Sequence, residues 1–148
     1  MPNRTAAIPE SSSDGRTIGL DEQYLICALV YAVAGMALGI YMAASQNHGQ
    51  FITHAHALLV GFVVSLLYAA IHKLWLPNGA SRLASAQFLA HQVGAAGVVI
   101  GLFELFGGSA PRSVIEPVLT VGSSTVLGAA VLMLVMVVRS RTAPRLPR

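Results

Sequence analysis

The residues best equipped for chemistry are histidines, and most of them are gathered in one stretch of the chain. Of the five, His54, His56, His72 and His91 fall in or at the ends of apolar runs, and His48 stands just ahead of the first pair. An ionisable ring inside a lipid-facing segment is costly, so each needs a hydrogen-bond partner or a ligand. For any one of them, a neutral imidazole bonded across helices meets that need as well as ligation does. Several together point to a cofactor.

Spacing limits what they can hold. At about 100° per residue, His54 and His56 on one helix point about 200° apart, so a single ion cannot be gripped by both from one face. Either each serves a separate site, or one ligates while the other makes a structural hydrogen bond. From His54 the helical face runs through Gly61, Ser65 and Tyr68 to His72, a polar line that has to face protein. From His56 it runs through Val60, Val63 and Leu67, a wall suited to a flat apolar macrocycle. The next apolar run presents Gln87, His91, Gly94 and Gly101 along one broad side, where the glycines leave room for a ring.

The candidate cofactor ligands are therefore His54, His56 and His91. With a rise of about 1.5 Å per residue, the first two lie within about 5–10 Å of one hydrocarbon boundary and His91 near the midplane. A His56–His91 sandwich within one subunit is strained, although helix tilt closes part of the gap. A ring pinned between the histidine pairs of adjacent subunits matches depths without strain.

The elements that must position these rings are four apolar runs, 22–44, 51–75, 82–106 and 114–138, each near the ~20 residues a membrane-spanning helix needs. Their connections carry turn chemistry: a polar 45–50, Pro77-Asn78-Gly79, and Gly107-Gly108-Ser109-Ala110-Pro111. With no water in a bilayer core to satisfy backbone groups, four such runs have to be helices. The fold class is all-α, a polytopic membrane protein of four short-looped helices. Gly35 and Gly39, Gly94, Gly97 and Gly101, and Gly122 through Gly128 supply the small residues that let such helices approach closely. Tyr24, Phe51 and Trp75 fall where interfacial anchors belong. Glu104 is placed to pair with Arg112, and the Ser65–Tyr68 hydroxyls read as packing and backbone hydrogen bonding.

Composition supports the same class. The chain is 55% apolar and only 10% charged, far from the soluble norm. Its formal net charge of +3 resides in the tails and one short loop, which marks membrane topology and excludes a nucleic-acid partner. The N-terminal tail, the 76–81 loop with its flanks and the C-terminal flank hold every Lys and Arg except Arg112, so both termini are expected on the cytoplasmic side of a bacterial-type inner membrane. Residues 1–20 read as a flexible cytosolic tail, 21–139 as the transmembrane domain and 140–148 as a basic cytosolic tail. The polar opening does not read as a secretory signal, and the single Cys27 forms no intrachain disulfide.

The run Phe51-Ile52-Thr53-His54-Ala55-His56-Ala57-Leu58-Leu59-Val60-Gly61 resembles the His-x-His helix of the haem-copper oxidase catalytic subunit. The likeness extends to Leu74-Trp75-Leu76-Pro77, similar to the aromatic-Pro end of that helix, and to Gln87-Phe88 through Gly94, similar to the start of the next. About a third of the chain carries it. The resemblance implies that His54 takes the place of the high-spin haem ligand and His56 that of the low-spin haem ligand. That family's twelve helices form three four-helix arcs about a pseudo-threefold axis, so a single arc of this kind implies a homotrimer. The adjacent His-His pair and the His-Pro-Glu segment that build the family's copper site have no match in this sequence. A complete terminal oxidase is therefore not implied.

The expectation is a small homo-oligomeric membrane protein binding haem b through His56 and either His54 or His91. Its role is electron transfer with a redox partner, or the binding or sensing of a diatomic gas. Bis-histidine ligation favours electron transfer, because it leaves no open iron position. Two other readings stand beside it: a copper or zinc site using His48 and His54, since imidazole suits both metals, and a structural membrane subunit whose histidines only pack.

Overall fold

The computed structural model describes residues 18–76, 81–108 and 110–142. The expected tails fall almost wholly outside these described residues, as does the Pro77-Asn78-Gly79 turn. The chain forms four helices: α1 Leu20–Ser45, α2 Phe51–Trp75, α3 Arg82–Gly107 and α4 Arg112–Thr142. Each is long and apolar enough to cross a membrane.

The helix ends follow from local chemistry. Ser81 caps α3 by accepting the Ala84 N–H at 3.1 Å. Gly108, at φ 72°, closes the same helix and donates its N–H to the Glu104 carbonyl at 3.0 Å. The Pro111 carbonyl accepts from Val114 and Ile115 at 3.0 and 3.3 Å, which starts α4 ahead of the apolar run expected from 114. At its other end, Arg139 and Arg141 lie in the last turn, where the helix dipole favours cations, and α4 continues past 138.

The helices pack chiefly as two hairpins, α1 with α2 and α3 with α4. In the second hairpin the backbones nearly touch: a Cβ on Gly94 would stand 2.9 Å from the Val126 nitrogen and 3.0 Å from the Gly122 carbonyl oxygen. The small-residue stripes thus set the interhelical distance. Polarity across the bundle is inverted relative to a water-soluble protein. Ile40, Val121 and Leu127 are exposed by 71%, 66% and 67%, whereas Thr53, Ser65, Gln87 and His91 are fully buried. The core proper lies at the Lys73 end, where Tyr24, Tyr68, Ala69, Ala84, Met133 and Met136 bring all four helices together.

One feature of α2 departs from simple periodicity: Ala57–Val63 wind as a π-helix. A π turn takes up about one extra residue, so the face before it rotates by about 100° against the face after it. Thr53, Ala57, Gly61, Ser65, Tyr68 and His72 are consequently the buried line. Thr53 occupies the place on that line that uniform α-helical spacing assigns to His54.

Candidate functional site

His54, displaced from the buried line, turns toward α1. Its Nδ1 lies 2.8 Å from the Gly35 carbonyl oxygen, and its ring lies against Gly39, where a Cβ would meet the ring carbon Cε1 at 2.9 Å. The Gly35-x-x-x-Gly39 stripe is thus a slot for an imidazole. A carbonyl oxygen can only accept, so Nδ1 must carry the hydrogen and Nε2 is left with a bare lone pair. A backbone bond of this kind is how ligating imidazoles have their tautomer and orientation fixed.

His56 reaches the same state by a different route. Its Nδ1 donates to the Ile52 carbonyl one turn earlier at 2.9 Å, again leaving Nε2 bare. The ring is partly exposed; of the expected wall, Val63 and Leu67 are exposed, by 39% and 56%, and Val60 is half-buried, while the π turn that follows His56 rotates its face against theirs. One imidazole is clamped against a neighbouring helix, and the other is tied to its own helix. Near them Gln50 ties the first loop to α3 by donating to the Phe103 carbonyl at 3.0 Å, and it accepts from the Thr53 hydroxyl at 2.7 Å.

His91 belongs to a different cluster. Gln87, His91, Gly94 and Gly101 form a buried side of α3, as their spacing implies. The room beside Gly94, however, is filled by the α4 backbone, and His91 packs on Tyr68 and Tyr24 with ring centroids 4.9 and 6.0 Å away. Its Nε2 lies 3.1 Å from Ser65 Oγ, which also accepts from Gln92 at 3.3 Å. Since His54 sits against Gly35 and His91 against Tyr24, the two are about 16 Å apart along α1 at 1.5 Å per residue. One iron cannot bind both within a subunit.

The sequence pattern assigns Tyr24 to the membrane interface, but the residue is fully buried and donates to Gln87 Oε1 at 2.6 Å. Gln87 in turn donates to the Ala129 carbonyl at 3.3 Å. The signal that could have found this is the stretch of helices α2 and α3 in which His72, Tyr68, Gln87 and His91 recur: buried polar groups require partners, and α1 offers Tyr24 at the matching depth. Glu104 and Arg112 form no ion pair with each other among the described residues; Lys73 pairs instead with Asp21, Nζ to Oδ2, at 3.2 Å. Its lysine is largely exposed and its carboxylate partly so, and such a surface pair contributes little to stability. Among the described residues no three His, Cys, Asp or Glu side chains converge as a metal site. No family model, curated protein or solved structure matches the chain.

Proposed function

We propose that this protein is a haem b-binding integral membrane protein that transfers electrons or binds a diatomic gas, with His56 and His54 as the residues that would hold the haem. The observation that carries the reading is the shared state of the two rings: each commits Nδ1–H to a backbone carbonyl and keeps Nε2 free to donate to iron. The donor set suits haem, because neutral imidazole is a haem ligand and the stretch of α2 that follows His56 carries exposed aliphatic side chains. Bound haem would supply one-electron chemistry and, where an axial position stays free, a site for a gas.

The protein's own residues hold and orient. Gly35 and Ile52 fix the imidazole tautomers, and Gly39 admits the His54 ring. The exposed Leu59, Val63 and Leu67 on α2 would offer hydrocarbon to a macrocycle. His56 is partly exposed, so a second histidine holding the same haem would come from another copy of the chain. This supports a homo-oligomer, with the trimer favoured by the resemblance to one arc of the haem-copper oxidase subunit. Buried polar groups and exposed aliphatic ones support insertion in a bilayer. The Lys and Arg distribution supports cytoplasmic termini in a bacterial-type inner membrane.

The test is the absorption spectrum of protein purified from haem-replete cells. A Soret band with a b-type pyridine haemochrome, lost in His56→Ala, is the expected result. A colourless wild-type preparation overturns the proposal.

A further inference from the structure

The haem reading leaves His91 without a role, yet its ring is fully buried in the bundle. What surrounds it is hydroxyl and backbone from α2. Nε2 lies 3.1 Å from Ser65 Oγ, and Nδ1, which no side chain bonds among the described residues, lies beside the Val60 carbonyl. These two neighbours sit at the end of the π segment Ala57–Val63.

The tautomer follows from them. A carbonyl oxygen only accepts, so a bare Nδ1 would set one lone pair against another, and Nδ1 has to carry the hydrogen. Nε2 is then the acceptor. Ser65 Oγ already accepts from Gln92 Nε2 at 3.3 Å, which leaves its own hydroxyl hydrogen to give to the ring.

The π turn is what makes the Val60 carbonyl available. In an α-helix that oxygen accepts from the N–H four residues on, which is Val64. Here Val64 donates instead to the Leu59 carbonyl, five residues back. Helix α1 presses on the same turn, because the Tyr31 ring fills the space where a Gly61 Cβ would stand. A buried carbonyl deprived of its partner is costly, so the turn is favoured where another donor reaches the released oxygen. His91 is the side chain placed to do so.

The effect is felt at the start of α2. The π turn rotates the preceding face by about 100°, which puts Thr53 on the buried line and turns His54 onto the Gly35 carbonyl. Were Val64 to take back the Val60 carbonyl, uniform α spacing would return His54 to the line of Gly61, Ser65, Tyr68 and His72. The Gly35 bond would then be lost.

We propose that His91 is a positioning residue: it takes the carbonyl that the π turn releases and thereby holds α2 in the register that turns His54 toward Gly35. The inference rests on the haem reading only for what His54 then holds.

The experiment uses the full chain in liposomes, labelled with 15N-histidine and with valine and glycine carrying 13C at the carbonyl. Solid-state NMR reads which carbonyl carbons lie next to which ring nitrogens. In the wild type His91 Nδ1 should be protonated and couple to the Val60 carbonyl carbon. Loss of that coupling in Val60→Leu, which keeps the carbonyl and drops the label, assigns it. His54 Nδ1 should couple to Gly35. His91→Phe keeps a ring against Tyr24 and Tyr68 but donates nothing, so the His54–Gly35 coupling should disappear. His91→Asn puts an amide N–H near the place of Nδ1 and should retain it. Retention in His91→Phe, loss in both variants, or a wild-type His91 whose Nδ1 is bare or uncoupled to Val60 overturns the proposal. None of these readings needs haem, so a colourless protein that passes them leaves His91 in its role while the haem proposal falls.

Discussion

The Nδ1 atom of His54 on α2 lies 2.8 Å from the carbonyl oxygen of Gly35 on α1, and the ring reaches that position only because Gly39 has no side chain. Packing and imidazole orientation are therefore one feature of the α1–α2 contact. Gly39→Val should expel the ring, because even a Cβ at that position comes within 2.9 Å of it. The expected loss is about 1–3 kcal/mol of stability, typical of overpacking, together with a fall in haem per protein. Thermal unfolding in detergent and the Soret-to-protein absorbance ratio measure the two. A variant that keeps both at the wild-type level would show that His54 does not occupy the slot.

His56 gives the opposite separation of effects. Its Nδ1 bond is made within its own helix and its ring is partly exposed, so His56→Leu removes no interhelical hydrogen bond. Stability of the haem-free protein should change by no more than about 0.5 kcal/mol, as for surface substitutions generally. Haem content should nevertheless fall to background. Retention of a wild-type Soret band in His56→Leu would remove this residue from the set of ligands.

The four helices are legible in the amino-acid sequence because apolar run length and turn residues report directly on what a bilayer and a tight loop require. The opposed directions of His54 and His56 are legible because two residues on a helix subtend a fixed angle. The π segment at Ala57–Val63 is not, since nothing in Ala-Leu-Leu-Val-Gly-Phe-Val breaks the α pattern. It arises where α2 packs on both α1 and α3, with Gly61 pressed on the Tyr31 ring. Its effect is to exchange Thr53 for His54 on the buried line. Tyr24 escapes a sequence reading for a related reason: its position near the helix start fits an interfacial anchor, and only the arrival of Gln87 from α3 turns it into a core residue. Both exceptions depend on contacts between helices, which local pattern does not encode.

That Tyr24–Gln87 contact can be tested quantitatively. Gln87 accepts from the phenol at 2.6 Å and donates to the Ala129 carbonyl at 3.3 Å, linking α1, α3 and α4. Gln87→Leu strands the buried hydroxyl and should cost about 1–3 kcal/mol. Tyr24→Phe strands the amide oxygen at a similar cost. The double variant leaves no unpaired group on this bond, so its destabilisation should be smaller than the sum of the two by at least about 0.5 kcal/mol, the coupling expected of contacting residues. Strict additivity in a double-mutant cycle by denaturant unfolding would contradict the bond.

Two glycines on the second hairpin should respond with opposite sign. A methyl group on Gly94 meets the Val126 nitrogen at 2.9 Å and the Gly122 carbonyl oxygen at 3.0 Å, and backbone atoms cannot swing aside as a side chain can. Gly94→Ala therefore has to push α3 and α4 apart, for about 1–3 kcal/mol of destabilisation. Gly128 lies on α4 with nothing within 4 Å of an added Cβ. Gly128→Ala should then stabilise the helix by about 0.5–1 kcal/mol, through the lower conformational entropy of alanine in the unfolded chain. Unfolding midpoints measured side by side in one detergent decide the matter. If both substitutions move the midpoint in the same direction, the close backbone approach at Gly94 is not what holds the hairpin together.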